Sequence, residues 1–189
     1  MLDADQQTAV AQGLAAGRPE AWTALYDAYA ADVWRYAARL LGDDAQGVGD
    51  IVQETLMAAA RSARAFDPSR GTLVSWLMGI THRQAAQYFR RSLRMPIAAP
   101  HEHQDLTSAE AGPADELLRR ERADQVRLIL ADMPAEHAWL LTAKYVDGAP
   151  IAAISQQLGV GEEAVRSKLA RARRLFRQAI SRGQQVSHR

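Results

Sequence analysis

Apolar residues recur along most of this chain with helical spacing. Trp22, Leu25, Tyr26, Tyr29, Val33, Tyr36, Ala37, Leu40 and Leu41 follow the i, i+3, i+4, i+7 rule, with Pro19 near the start of the run and Gly42 at its end. A second helix is predicted from about Asp50 to Ala65, with Ile51, Thr55, Leu56 and Ala59 on one face. The run Phe66-Asp67-Pro68-Ser69-Arg70-Gly71 reads as a turn, because Pro and Gly break both neighbouring periodicities. Thr72 can cap a third helix carrying Leu73, Trp76, Leu77, Ile80 and Tyr88 to about Arg91. Periodicity then fails from about Leu93 to Pro113, a stretch with three prolines, and resumes at about Ala114–Asp132, Ala135–Tyr145, Ile151–Leu158 and Glu162–Ser181. The first residues, Met1 to Gly17, allow one more short helix. No alternating strand pattern occurs.

The expected fold is therefore all-α. It comprises two small helical domains, residues 1–93 and 114–189, joined by a flexible acidic, Pro/Ala-rich linker at 94–113. A length of 189 residues with 48% hydrophobic and 24% charged side chains suits folded domains rather than a disordered chain. The absence of cysteine excludes a disulfide scaffold, a thiol nucleophile and an iron–sulfur centre. With no long apolar run and a polar, acidic N-terminus, the composition predicts a soluble, cytoplasmic protein.

A net charge of +1 argues at first against a nucleic-acid partner, but the charges are segregated. Gly42–Glu54 holds four acids and no base; Gly79–Arg94 holds four arginines and no acid. Met95–Leu118 holds five acids and no base, whereas Gly161–Arg182 holds seven bases against Glu162 and Glu163.

Residues Ile151 to Val165 have a helix-turn-helix layout. Ile151 and Ile154 face inward, Leu158-Gly159-Val160 makes the tight turn, and Val165 and Leu169 anchor the second helix. Arg166, Ser167, Ala170, Arg171 and Arg174 are left facing outward. Such a helix fits the DNA major groove, where Arg reads guanine through two hydrogen bonds and further bases neutralise phosphates. The plainer reading is a solvated basic helix closing an ordinary bundle. In the N-terminal half, Asp50, Gln53, Glu54 and Met57 share one stripe, which alone would be a solvated surface.

The joint order of these motifs carries more than any one of them. D-I-V-Q-E-T (50–55), F-D-P-S-R-G (66–71), W-L at 76–77 and Y-F-R-R (88–91) are followed by L-A-D-M-P-A-E (130–136), K-Y-V-D-G (144–148) and V-R-S-K-L-A-R-A-R (165–173). This arrangement resembles regions 2 and 4 of the bacterial RNA polymerase sigma factors of the extracytoplasmic-function group. The resemblance covers about residues 20–92 and 114–180. It implies a non-catalytic specificity subunit that joins core RNA polymerase, recognises minus-thirty-five and minus-ten promoter elements and assists melting.

Under that resemblance, Asp50, Gln53, Glu54 and Met57 match the helix that docks on the clamp coiled coil of the largest polymerase subunit. Phe66, Asp67, Ser69 and Arg70 match the loop that captures a flipped minus-ten base. His82, Arg83, Gln87, Arg90 and Arg91 lie on the helix tracking the opened strand. Arg166, Ser167 and Arg171 match the minus-thirty-five readers, with Ala170 beside them and Lys168, Arg173 and Arg174 nearer phosphates or the polymerase flap. An anti-sigma partner is a further expectation of the family.

There are departures. His82, Arg83 and Gln87 replace the family's usual Arg, Asn and Asp, and Ala170 is smaller than the usual residue. Gly47 and Gly49 predict that the docking helix starts late. Trp34 and Trp76, at helical spacing, are expected in the core rather than as DNA wedges. His101-Glu102-His103 is too little for a metal site; no cofactor, phosphate loop or catalytic triad is indicated. The competing function is a stand-alone helix-turn-helix regulator with a helical dimerisation or sensing domain. A helical scaffold without DNA leaves the Arg-rich helices unexplained.

Overall fold

The computed structural model describes residues 2–92 and 113–186, and all regular structure among them is helical. The linker expected at 94–113 lies outside the described residues except for Pro113, as does the His101/His103 pair.

Helix α1 (Ala4–Ala15) opens with a capping box: the Asp3 carboxylate accepts from the Gln6 N–H at 2.8 Å, and the Gln6 side chain accepts from the Asp3 N–H at 3.0 Å. Helix α2 (Pro19–Leu41) begins on a proline and ends at Gly42, whose φ of +71° needs no Cβ. Its inward stripe, Leu25, Tyr29, Val33, Tyr36, Ala37 and Leu40, is almost fully buried. Trp34 falls outside that stripe and is 49% exposed, so the expectation that it is a core residue is overturned. Trp76 is half-buried, with its ring 5.2 Å from that of Phe66.

Helix α3 (Ala45–Ser62) starts earlier than the two glycines led us to expect. Asp44 caps it by accepting from the Gly47 N–H at 2.8 Å. A Cβ on Gly47 would lie 2.4 Å from that carboxylate, so the glycine permits the cap instead of delaying the helix. Tyr88 of α4 (Leu73–Ser92) donates to the same carboxylate, tying the end of α4 to the start of α3 and pushing the Tyr88 pKa up to about 12. Val48, Ile51, Thr55 and Ala59 form the buried face of α3.

The C-terminal half contains α5 (Pro113–Asp132), α6 (Ala135–Leu141), α7 (Ile151–Leu158) and α8 (Glu162–Val186). The helix expected to run to Tyr145 changes at Thr142 into a wider turn, Thr142–Val146, in which the Asp147 N–H bonds to the Thr142 carbonyl. The turn between α7 and α8 is over-determined. Gly159 takes the left-handed conformation at φ +66°, and the Ser155 hydroxyl donates to the Val160 carbonyl at 2.5 Å. Ile154, Leu158, Val165, Leu169 and Ala172 seal the two helices together.

Both halves contribute to one continuous apolar cluster. It includes Leu73, Leu77 and Val74 from α4 and Leu130, Met133, Trp139, Leu140 and Ile154 from beyond the linker.

Candidate nucleic-acid interface

Packing decides which side chains are free to meet another molecule. With Ile51 and Thr55 buried, Asp50, Gln53, Glu54 and Met57 are turned to solvent as one exposed stripe along α3. Glu54 has only a loose partner, Arg61 at 3.8 Å, with both side chains more than half exposed. The stripe is thus an acidic face with an apolar member, Met57, at its end.

The loop after α3 is held by its own residues. Asp67 accepts from both the Ser69 N–H at 2.9 Å and the Ser69 hydroxyl at 2.7 Å. These bonds, the hydroxyl first and then the amide, hold the Asp67 carboxyl below the usual range. A short 3₁₀ turn, Pro68–Arg70, follows, leaving Ser69 and Arg70 exposed. Phe66 is half-buried against Trp76, so its ring forms a wall of the loop rather than a projecting wedge.

On α4 the expected strand-tracking residues divide. Arg83, Arg90 and Arg91 are exposed, Gln87 is half-exposed between them, and Arg91 donates to Gln87 at 3.4 Å. Their spacing puts the four on one face. His82 is on the other side: it is 5% exposed, with both ring nitrogens engaged inside the protein. The structure therefore removes His82 from the DNA-facing set. A residue one step from Arg83 lies about 100° round the helix, and here that rotation carries it into the packing between the two halves.

The His82 geometry fixes the tautomer of the neutral ring. Nε2 lies 2.8 Å from the Met133 carbonyl, which can only accept, so Nε2 carries the proton. Nδ1 then accepts from the Tyr36 hydroxyl at 3.0 Å. Burial pushes the imidazole pKa down, against the opposing pull of the Met133 and Ala131 carbonyls. The folded chain thus favours neutral His82, whereas the unfolded chain binds a proton near pH 6.5. Stability from this group is complete above the unfolded pKa and is lost as pH falls below it, toward the depressed folded value. We expect the wild-type melting temperature to fall between about pH 7 and pH 5.5 more steeply than that of His82→Gln, whose amide can donate and accept in the same places. Parallel melting curves for the two proteins would contradict this assignment.

Along α8, Arg166, Ser167, Ala170, Arg171 and Arg174 are exposed on the side opposite the buried Val165, Leu169 and Ala172. Arg166 is paired with Glu162 at 2.7 Å and Glu163 at 3.3 Å, so it would have to exchange these for DNA. Lys168 is half-buried and bonded to Glu136 of α6, and Arg173 donates to the Tyr145 hydroxyl at 3.1 Å. Ser167, Arg171 and Arg174 repeat at i, i+4 and i+7, the outward stripe of a groove-reading helix.

Sequence reasoning missed the residues that join the halves: Tyr36, Arg39, Thr72 and Asp147. Their contacts span tens of positions, and no local pattern signals them. Among the described residues there is no cluster of metal-ligating side chains and no helix long and apolar enough to cross a membrane.

Known proteins share this organisation. Residues 25–95 match the Sigma-70 region 2 family and residues 123–176 match Sigma-70, region 4. The chain is 34% identical over 169 residues to the ECF RNA polymerase sigma factor SigL of Mycobacterium tuberculosis, covering 87% of this chain and 92% of that one. The chain belongs to the ECF RNA polymerase sigma factors. It is also 29% identical over 162 residues to the ECF sigma factor SigE of Mycolicibacterium smegmatis, covering 85% of this chain and 62% of that protein. A solved structure described as CnrH in complex with the cytosolic domain of CnrY matches with a TM-score of 0.49 at 20% identity, over 93% of this chain and 97% of that one. As a sigma factor, the protein binds RNA polymerase and DNA and directs promoter-specific transcription initiation, with no enzymatic reaction of its own. The stand-alone regulator is thereby set aside.

Proposed function

We propose that the functions of this sigma factor are divided among four surfaces. The stripe Asp50–Gln53–Glu54–Met57 docks on the clamp coiled coil of the largest polymerase subunit, where an acidic face meets a basic one. The Phe66–Gly71 loop receives a base flipped from the minus-ten element, and Arg83, Gln87, Arg90 and Arg91 hold the opened strand. Flipping costs a few kcal/mol, which a rigid pocket and backbone contacts must offset. Ser167, Arg171 and Arg174, with Arg166 after release from its glutamates, read the minus-thirty-five element. Lys168 and Arg173, already engaged within the domain, contribute to phosphates or the polymerase flap. An anti-sigma partner would have to cover the docking stripe or the reading helix to hold the factor inactive.

The observation that carries this reading is the simultaneous exposure of these charged faces on a frame whose apolar faces are buried: acids on α3, arginines on α4 and α8. Arg171 offers the sharpest test. Arg171→Ala, assayed as holoenzyme on promoters varied at each minus-thirty-five position, is expected to lose about 1–3 kcal/mol at one base pair if it makes a bidentate base contact. An equal loss on every sequence would make it a phosphate contact and overturn its role as a reader.

A further inference from the structure

We propose that Gln7 of α1 is a positioning residue for the Phe66–Gly71 loop, holding the exit of that loop in the shape that captures a flipped base. Helix α1 lies before residues 25–95, which match region 2, and none of the four surfaces above draws on it. Its inward stripe is Gln7, Val10, Ala11 and Leu14, at i, i+3, i+4 and i+7, with Gln7 half-buried and the other three buried. Packing alone would favour an apolar residue at the first of these positions. Gln7 instead uses both ends of its amide. Its Nε2 donates to the Leu2 carbonyl at 3.1 Å, and its Oε1 accepts from the Leu73 N–H at 3.4 Å, 66 positions away in the chain. A carbonyl can only accept and a backbone N–H can only donate, so these two partners fix which way the amide points.

The bond to Leu73 matters because of where Leu73 stands. It is the first residue of α4, and its N–H is one of the donors that a helix cannot satisfy internally. Leu73 is fully buried, so loss of the acceptor would leave that amide unpaired. The neighbouring backbone is equally constrained. The Thr72 hydroxyl accepts from the Ser75 N–H at 3.3 Å, and the Ser75 hydroxyl donates to the Thr72 carbonyl at 2.8 Å. Gly71 takes φ +155°, and a Cβ there would lie 2.9 Å from the Ser75 hydroxyl oxygen. At the other end of the loop, α1 packs on the 3₁₀ turn Ala63–Ala65, where Ala63 is buried and its carbonyl accepts from the Phe66 N–H at 3.1 Å. Helix α1 therefore braces both ends of the loop.

The consequence for promoter recognition rests on the reading of the loop given above. A loop that must offset the cost of an extruded base loses part of that gain if it has to be ordered at the same moment. Freeing Leu73 from Gln7 should therefore lower discrimination at the captured base. Polymerase docking on α3 and minus-thirty-five reading on α8 should stay as they are.

The test uses the full-length chain as holoenzyme on promoters carrying each of the four bases at every minus-ten and minus-thirty-five position. Asp67→Ala removes the loop's own bonds to Ser69, and the position where it abolishes discrimination marks the captured base. At that position Gln7→Leu, which has no acceptor, should reduce discrimination about three- to tenfold, the range for one lost hydrogen bond. Gln7→Glu keeps an acceptor at the N-terminus of α4 and should retain wild-type discrimination. Both Gln7 variants should bind core polymerase as the wild type does. Equal losses at both promoter elements in Gln7→Leu, or no rescue by Gln7→Glu, would overturn the positioning role. If Asp67→Ala marks no position, the reading of the loop falls and the role of Gln7 with it. If Asp67→Ala marks one and Gln7→Leu leaves it intact, only the role of Gln7 falls.

Discussion

Reversing the two acids of the α3 stripe, Asp50→Lys with Glu54→Lys, should weaken association with core polymerase by about a hundredfold, on the order of 3 kcal/mol. Both side chains are exposed, and the Arg61–Glu54 contact at 3.8 Å between two largely exposed groups contributes little, so the folded chain should lose almost no stability. The effect belongs to the partner surface. Four units of charge change where a basic face must approach, and attraction becomes repulsion. The same argument gives a second signature. Binding by the wild type should weaken as salt rises toward physiological strength and beyond, while binding by the reversed variant should strengthen as its repulsion is screened. Fluorescence anisotropy of labelled protein titrated with core polymerase at two salt concentrations reads both. Unchanged affinity in the variant would show that this stripe is solvated surface and that docking lies elsewhere.

The largest stability effect is expected at Ile154. Its side chain is fully buried between α7 and α8, where the first helix of the reading unit is sealed to the second. Ile154→Ala removes three carbons, and neighbours on two rigid helices can collapse only partly into the space. A loss of about 2–5 kcal/mol is expected, against a total of about 5–15 kcal/mol for a domain of ordinary stability. Chemical denaturation with the midpoint compared at constant slope measures it. The contrast with Arg171→Ala is informative. The first should lower stability and promoter binding together, whereas the second should lower binding at one base pair with stability unchanged. A change of less than about 1 kcal/mol for Ile154→Ala would mean that the two helices are not packed as described.

Much of this architecture is legible in the sequence, because helices are encoded locally. Helix α7 runs from Ile151 to Leu158 as the apolar spacing indicated, and Gly159 ends it in the left-handed conformation that a tight turn requires. The inward stripe of α2 and the outward stripe of α3 follow from the 3.6-residue period alone. Local reasoning failed where a tertiary partner set the outcome. Gly47 looked like a helix breaker, but its missing Cβ admits the Asp44 cap, which starts α3 early. Trp34 looked apolar enough for the core, yet Val33 and Tyr36 set the buried face and turn it outward. His82 was expected on the strand-tracking face because it stands where the resembled family usually has Arg, yet it is buried. Its actual partners, Tyr36 and Met133, are 46 and 51 positions away in the chain. The candidate surfaces were readable as charge stripes. Whether a given charge in a stripe is free, as with Arg171, or already engaged, as with Lys168 at Glu136, depends on packing that no spacing rule contains.

The near-zero net charge also takes on meaning in this arrangement. Two arginine-rich faces are offset by acids elsewhere, so a net charge of +1 does not argue against a nucleic-acid partner.

This chain confers promoter specificity on RNA polymerase. Run-off transcription with purified core polymerase tests it most directly, on templates carrying intact or scrambled minus-thirty-five and minus-ten elements, with and without the protein. A discrete transcript that requires the protein and both elements, and is lost with Asp50→Lys/Glu54→Lys, is the expected result. Transcription independent of the protein, together with tight binding of the free protein to duplex DNA without polymerase, would contradict it.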